Sequence, residues 1–538
     1  MDDPDIIIIG SGSAGSALAG RLGESGRLRV LVLEAGPSDR SIWIRMPIGY
    51  GKCFYDPRVN WMYRTDPVPG LADRSIYQPR GKVVGGSSSI NAMVYARGQP
   101  EDFDGWAALG NPGWAWRDLL PLYRRMEHHA LGASAWHGAA GPLAVTDISK
   151  TVHPLTHRFV EAGIEAGLPF NPDLNGADSE GVGYYQITTR SGWRESAASA
   201  YLRPALKTGR VRLVTGAHVT RLLFEGHRAV GVEYRRNGRL VRVAAKREIV
   251  LAAGAINSPQ VLQLSGVGPA DLLRRHGIGV VVDNPAVGGN LQDHLAYDLV
   301  YRSRVPSLND VLLPWSGRLR VALSYALTRR GPLSLSVNQG GGFFRSRPDI
   351  DRPDTQLYFS PLSYERAVPG VRALMLPDAF SGFTLSASPC RPQSRGRVDI
   401  GSADPDEPPT IAPNYLAAEA DVRVLLDGAR FLRRLADTPT FAALIAEELK
   451  PGPTSIGDEA LIADIRQRAY SVFHPCGTCA MGPEATNAVV DARLRVHGLS
   501  GLRVADAAIF PTVTSGNTNA PSMLVGEKAA DLILADLA

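Results

Sequence analysis

An apolar run, Ile6-Ile7-Ile8-Ile9, leads into Gly10-Ser11-Gly12-Ser13-Ala14-Gly15 and then a helical stretch. A second apolar run, Val30-Leu31-Val32-Leu33, follows and ends in Glu34-Ala35-Gly36. This order of parts leaves few folds open, because it predicts a strand–turn–helix–strand unit built to hold a dinucleotide. Gly10 would make the tight turn, Gly12 would let the backbone approach a pyrophosphate, and Gly15 would let helix and strand pack closely. The helix N-terminus would then face the phosphates. Glu34 closes the second strand about 20 residues on, where a carboxylate can accept a hydrogen bond from a ribose hydroxyl. Glycine turns are common, so the weight lies in strand, glycines, helix, strand and acid occurring in order.

Composition then excludes several classes. A chain of 538 residues has room for more than one domain of about 150 residues. Its 44% hydrophobic and 21% charged content is that of a globular protein with a large core. The net charge of +5 comes from 58 basic and 53 acidic residues without a basic block, and no aromatic–basic interleaving marks a nucleic-acid surface. No apolar run of about eighteen residues occurs, so no integral membrane segment is expected. The first strand starts within five residues of Met1, which predicts no leader, and four cysteines argue against a disulfide framework. The expected address is the cytoplasm, with a peripheral contact to a quinone pool at the inner membrane left open.

Further along, Arg80-Gly-Lys-Val-Val84-Gly85-Gly86-Ser-Ser-Ser-Ile90-Asn91 turns apolar at Ala92-Met93-Val94, as a loop entering a helix does. Its amides could wrap a phosphate or a ring edge. Alternating stretches from Val211 to Val250 read as a β-meander closed by a buried strand at Glu248–Gly254. Ser258-Pro259 then looks like an N-cap with proline in the first helical turn. From Ser307 to Tyr470 proline and aromatic residues increase, which suggests a second domain over the first. The tail from Gly501 returns to strand, loop and amphipathic helix.

The best catalytic candidates lie near the C-terminus: His474, in Ser471-Val472-Phe473-His474-Pro475-Cys476, and Asn519, in Ser515-Gly-Asn517-Thr-Asn519-Ala-Pro-Ser. Both sit in glycine-interrupted loops, where a rigid scaffold tends to present catalytic groups. Cys476-x-x-Cys479 could be a redox dithiol, half a zinc site, or two buried thiols. No second ligand pair is visible, and no His-x-Glu occurs among the eleven histidines, so buried thiols are the expectation. No metal site is expected.

These residues together resemble the glucose–methanol–choline (GMC) oxidoreductases, a family of FAD enzymes, over almost the whole chain. The blocks that carry the resemblance are the opening glycines, Gly85–Gly98, Gly254-Ala-Ile-Asn-Ser-Pro-Gln-Val-Leu-Gln-Leu-Ser-Gly-Val-Gly268, Asn284-Pro-Ala-Val-Gly-Gly-Asn-Leu-Gln-Asp-His294 and the His474/Asn519 pair. Among subgroups the chain looks most like bacterial alkanol, sorbose and choline dehydrogenases. The resemblance implies an α/β fold: a Rossmann-like FAD-binding domain with a second α+β substrate-binding domain, an antiparallel sheet flanked by helices. The implied division is 1–306 for the FAD domain, with part of the substrate domain inserted near 150–200, then 307–470 for the substrate domain. Residues 471–538 would return to the FAD domain with the catalytic pair.

Residue by residue, the resemblance assigns the ADP half of FAD to Gly10, Gly12, Ser13, Ala14, Gly15, Glu34 and Ala35. Arg80, Val84, Gly86, Asn91, Ala92, Met93 and Val94 would lie along the pyrophosphate and flavin, and Val219 against the adenine. Ala253, Asp506 and Ala507 would complete the cofactor site. His474 would be the base and Asn519 its partner, donating a hydrogen bond to the developing alkoxide. Val472, Phe473, Gln339, Phe344 and Tyr358, with Phe359, would form the substrate pocket.

Departures from the pattern sharpen this picture. Ile90 stands where some choline-oxidising members attach FAD through a histidine, which predicts non-covalent FAD. Neutral Gln339, where an acidic residue often occurs, weakens a choline assignment. The expected reaction is oxidation of a primary alcohol, aliphatic or aromatic, to the aldehyde. The small-molecule alcohol would be the partner, and a quinone or dioxygen the electron acceptor, with dehydrogenase favoured slightly over oxidase. A sugar or polyol such as sorbose is the alternative substrate. A non-redox or photochemical member, of the hydroxynitrile lyase or fatty-acid photodecarboxylase type, is the alternative class, and Cys390-Arg-Pro-Gln-Ser394 locally resembles the latter.

Overall fold

The opening apolar runs pair as the sequence predicts. Ile6–Ile9 lies parallel to Val30–Glu34 on one side and to Glu248–Leu251 on the other. In the computed structural model, which describes residues 3–365, 376–455 and 457–537, these strands form the centre of a five-stranded parallel sheet. Its edges are Val211–Thr215 and, from the far end of the chain, Leu502–Val504. Strands covered on both faces read as continuous apolar runs, and every residue of Ile6–Ile9 and Val30–Glu34 is buried. The helices Ser13–Glu24 and Asn519–Ala535 pack on each other over one face. The last helix is largely buried, where an amphipathic one was expected.

Val211–Thr215 belongs to this sheet, so the antiparallel meander is limited to His218–Glu225, Arg228–Arg236 and Arg239–Ala244. A second, antiparallel layer contains Gly181–Tyr184, Gly340–Phe344, Thr355–Ser360, Gly382–Pro389, Leu295–Ser303 and Ile445–Lys450 in that order across the sheet. Glu419–Ala436 covers one side of it with an aliphatic face. The strand Leu295–Ser303 precedes residue 306, so this layer starts earlier in the chain than the expected division.

Two local expectations differ from the structure. The helix expected from Ser258 begins at Gly254 and holds Pro259 inside it. Proline lacks the N–H that would bond Ala255, and the Thr478 hydroxyl donates to that carbonyl instead at 2.6 Å. The Gly86–Ser89 segment makes one 3-10 turn and no longer helix. There the Ser88 and Ser89 hydroxyls take the carbonyls of Gly85 and Val84 at 2.6 and 2.7 Å, competing with a helical ladder.

Candidate active site

A single long cleft runs between the parallel sheet and the antiparallel layer, with an empty space of about 2190 Å³, its open mouth included. One end is walled by Gly10, Gly12, Ser13, Glu34 and Val219, and the other by Tyr358, Val472, Phe473, His474 and Asn517.

The glycine end is made of backbone. Gly10 has φ +98°, and a Cβ there would stand 2.5 Å from the Ala252 carbonyl oxygen. A Cβ on Gly15 would stand 2.1 Å from the Gly10 carbonyl oxygen, so both positions are required by the protein's own packing. Gly12 differs, since a Cβ on it would meet only Gly86 Cα at 4.0 Å. The space kept free above Gly12 faces the cleft at the start of the Ser13–Glu24 helix, where an anionic diphosphate is stabilised. Glu34 accepts from the Ser11 amide and hydroxyl at 3.0 and 2.6 Å and from the Gly36 amide at 2.8 Å. Burial nevertheless raises its carboxyl above the ordinary value. Asp506 accepts from Gly254 N, Ser258 Oγ and Ala508 N at 2.8, 2.6 and 2.7 Å, tying two ends of the cleft wall together. The donor set, the bare helix start and the room above Gly12 fit a dinucleotide.

Most of the expected cofactor residues line this wall: Gly10, Gly12, Ser13, Ala14, Glu34, Ala35, Arg80, Gly86, Asn91–Val94, Val219, Ala253, Asp506 and Ala507. Gly15 and Val84 do not line it, because Gly15 faces the turn below and Val84 points into the core. Trp61 and His218, which sequence reasoning missed, also stand on the wall beside Val219, their rings 5.4 Å apart.

The other end is made of side chains. His474 follows Phe473, whose φ of +70° is rare for a bulky residue. Arg80 Nη2 donates to the Phe473 carbonyl at 2.6 Å. Asp293 accepts from the His474 amide at 2.7 Å and from the Ser471 hydroxyl at 2.5 Å, and Tyr415 and Gln78 also donate to it. The segment around Gln292 pairs with Cys476 in both directions, at 2.9 and 3.0 Å, which laces the histidine loop to the neighbouring chain. Cys476 and Cys479 are buried free thiols in that lacing, and burial pushes both well above the ordinary thiol value.

The imidazole's tautomer follows from its partners. His294 Nε2 lies 2.9 Å from the Cys390 carbonyl, which can only accept, so that nitrogen carries the proton. Neutral His294 therefore presents a bare Nδ1 to His474 Nδ1, 2.9 Å away, and His474 donates to it. The lone pair of His474 Nε2 then faces the cleft, 3.1 Å from the Asn517 amide nitrogen. Burial, then the His294 ring and the Arg80 guanidinium, hold His474 well below its ordinary value of 6.5. That nitrogen carries no proton and accepts from the Asn517 amide, and an alcohol hydroxyl that displaces this contact can give its proton to the neutral imidazole.

Asn519, the expected partner, is not beside His474. It is already the first residue of the Asn519–Ala535 helix, and its Oδ1 accepts from Ser13 Oγ at 2.7 Å across the helix pair. Asn517, two residues earlier in the loop, takes that place. Its Oδ1 accepts from Gln356 Nε2 at 3.2 Å, and Gln356 Oε1 in turn accepts from the Tyr358 hydroxyl at 2.6 Å. Gln356, Asp293 and His294 also went unassigned in the sequence. The Gln292-Asp293-His294 run stood inside a recognised block, and its adjacent polar residues were the available signal.

Of the expected pocket residues, Val472, Phe473 and Tyr358 line the cleft. Phe344 stacks on Phe431 at 4.1 Å, and Phe359 on Phe159 at 4.7 Å, on the opposite face of the sheet. The two-residue alternation of a strand accounts for this: Tyr358 and Ser360 face the cleft, and Phe359 between them cannot. Gln339 is buried likewise, accepting from His153 N at 2.7 Å and from the Thr156 hydroxyl at 3.2 Å. Its neighbour Asn338 reaches the cleft, so the neutrality of Gln339 says nothing about the substrate's charge.

His129, His137 and Asp173 form a second polar cluster, whose nitrogen and oxygen atoms lie within 4.8 Å of one another. His137 bridges Glu127 and Asp173 at 3.0 and 2.8 Å, and His129 is held by Gln186 and the Leu131 amide. The buried Arg97 guanidinium pairs with Glu127 and stands 2.8 Å from His137, so the cluster is an ion-pair network that joins strands.

Residues 4–296 and 392–526 match the N- and C-terminal parts of the GMC oxidoreductases. The chain is 42% identical over 534 residues to an alcohol dehydrogenase [acceptor] of Pseudomonas putida, covering 98% of this chain and 95% of that one. It is 44% identical over 536 residues to an oxygen-dependent choline dehydrogenase of Rhizobium meliloti, with the same coverage of 98% and 95%. Pyridoxine 4-oxidase from Mesorbium loti superimposes with a TM-score of 0.88 at 32% identity, covering 98% of each chain.

Proposed function

The chain belongs to the GMC oxidoreductase family and takes FAD as its cofactor, and we propose that it oxidises a primary alcohol, aliphatic or aromatic, to the aldehyde. The observation that carries this reading is the His474 Nε2 lone pair, fixed by the His294–Cys390 chain and facing the cleft beside Asn517.

FAD, when bound, supplies the hydride acceptor. His474 Nε2 takes the hydroxyl proton, and Asn517 donates its amide hydrogen to the developing alkoxide. The carbon is oxidised as it gives up one hydride and the oxygen one proton. Asp293 and Arg80 hold the histidine loop in place, so little reorganisation accompanies the transfer. Gly12 and the Ser13–Glu24 helix start would hold the pyrophosphate, and Asn91–Val94 would follow the flavin. Ile90, which lines the cleft, offers no nucleophile, so the cofactor is held without a covalent bond. Acid precipitation should release all of the flavin into the supernatant. Electrons leave to a quinone in preference to dioxygen. No helix among the described residues is long and apolar enough to cross a membrane.

One observation favours a second reading. Asp298 lines the cleft, where Ser386 and Tyr470 donate to it at 2.6 and 2.8 Å, and the rings of Tyr50, Phe54 and Phe473 stand on the same wall. A carboxylate with aromatic faces suits a cationic alcohol such as choline. Anaerobic spectral titration of the yellow protein with primary alcohols, sugars and choline separates the two. Bleaching by neutral primary alcohols supports the first reading, bleaching by choline alone the second, and bleaching by none rejects both. Admission of air afterwards separates oxidase from dehydrogenase.

A further inference from the structure

The Trp315–Thr328 helix is turned inside out relative to an ordinary surface helix. Its buried residues are Val321 and Tyr325, while Trp315, Leu319, Leu323 and Leu327 form a stripe on the outer face, 71%, 46%, 54% and 85% exposed. Their spacing of four keeps them on one side over a helix about 20 Å long. Arg318 and Arg320 stand about 100° to either side of Leu319, and Arg329 and Arg330 close the C-terminal end. From Val311 to Arg345 the chain contains no Asp or Glu.

A second exposed apolar pair is joined to this helix. Ile42 and Trp43 are 50% and 39% exposed, and Lys52 stands over the Trp43 ring at 4.2 Å. The two segments meet at Trp193, which carries the Arg45 guanidinium at 4.6 Å and the Arg329 guanidinium at 4.5 Å. Tyr325 ties the helix to the same corner through the Gly192 carbonyl at 2.9 Å. The Leu308–Leu312 helix contacts the Trp315–Thr328 helix and packs through Leu308 and Leu312 into the apolar cluster that holds Tyr50, Met93 and Val337 of the cleft wall, so one short helix links the exposed helix to the cleft.

We propose that this face docks the protein on a lipid bilayer with anionic headgroups. Trp and Leu on one side of a helix with arginines along the flanks is the arrangement that lies in the plane of a membrane interface. Arginine stems can follow the apolar stripe while their heads reach the phosphates. An acidic protein partner would match the charge but leaves a four-residue leucine period without a purpose. A second copy of this chain would bring the same arginines against one another. The docking face stands independently of the alcohol chemistry proposed above.

The test uses the holoenzyme in flotation with phosphatidylcholine vesicles and with phosphatidylcholine–phosphatidylglycerol vesicles. The mixed vesicles should bind it at least tenfold better, with binding weakened by salt. The Leu323→Gln/Leu327→Gln variant should bind the mixed vesicles at least tenfold more weakly, since two largely exposed leucines lose their apolar burial. Arg318→Gln and Arg320→Gln should each cost about fivefold on the mixed vesicles only. Flavin content and turnover with a soluble dye acceptor should stay at wild-type values in all variants, so failure of docking reads apart from failure of the catalytic proposal. A holoenzyme that ignores the mixed vesicles, or a leucine variant that floats like wild type, overturns the proposal. So does a leucine variant that turns a dimer into a monomer in light scattering with flotation unchanged.

Discussion

At the Gly10 end the cleft is walled largely by the backbone of the Gly10–Ala35 stretch, with Gly86, Val219 and Ala253 brought in beside it, whereas at the His474 end the chemistry rests on side chains from distant segments, His294, Gln356, His474 and Asn517. The first end works by leaving space: a cradle above Gly12 and unpaired amides at a helix start. The second works by filling it, with a hydrogen-bond chain from the Cys390 carbonyl through His294 to His474 and on to Asn517 and Gln356. An end built on absence tolerates no added atom, and an end built on a chain of partners tolerates no missing one.

The sharpest way to break this contrast is to add one methyl group at two glycines. Gly15→Ala places a Cβ against the Gly10 carbonyl and should lower both stability, by about 1–3 kcal/mol, and FAD content. Gly12→Ala meets nothing closer than 4.0 Å in the protein and should lower FAD content and activity while the apoprotein melts like wild-type apoprotein. The flavin-to-protein absorbance ratio and thermal unfolding of both forms check this.

At the other end, Asn517→Ala should slow flavin reduction by about 10²–10³-fold, the loss typical of one donor to a developing oxyanion. Asn519→Ala removes a bond to Ser13 and should slow it by less than tenfold. Single-turnover reduction by one alcohol, followed in both variants, decides between the two asparagines.

A smaller effect concerns pH. Burial lowers His474 and His294 in the folded state relative to the unfolded value of 6.5. Each therefore contributes stability that is fully present above that pH and is lost as pH falls toward the folded value. Glu34 and Asp506, raised by burial, carry the opposite sign. The unfolding midpoint of wild type should fall as pH drops below 6.5, and His474→Ala should flatten that fall. The acid limb of kcat/KM should likewise lie below 6.5.

The smallest expected effect on catalysis is at Gln339. Gln339→Glu buries a carboxylate among His153 and Thr156, so it should lower the unfolding midpoint. The ratio of kcat/KM for choline to that for a neutral alcohol should stay within about twofold, because the side chain does not reach the cleft.

Legibility from sequence follows the same division. The parallel strands and the glycine cradle could be read because apolar run, glycines, helix and acid stand in order within about thirty residues, although the atoms that require Gly10 and bound Gly12 come from Ala252 and Gly86. The family resemblance supplied His474, whose loop is a recognisable block. It missed Asn517 in favour of Asn519, because a helix start two residues away decides which asparagine faces the histidine and which faces Ser13. Phe344, Phe359 and Gln339 failed as pocket residues for a related reason: in a strand, a shift of one position moves a side chain to the other face of the sheet. Asp293 and His294 were invisible as site residues, since their partners come from Ser471–His474 and Cys390.

The chemistry at the side-chain end of the cleft depends first on His474 as the base. Anaerobic stopped-flow bleaching of the flavin by a primary alcohol, in wild type and in His474→Ala at matched FAD content, measures that step alone. Wild type should bleach, and the variant should do so at a rate about 10²–10⁴-fold lower. A variant that bleaches within tenfold of wild type would contradict that role.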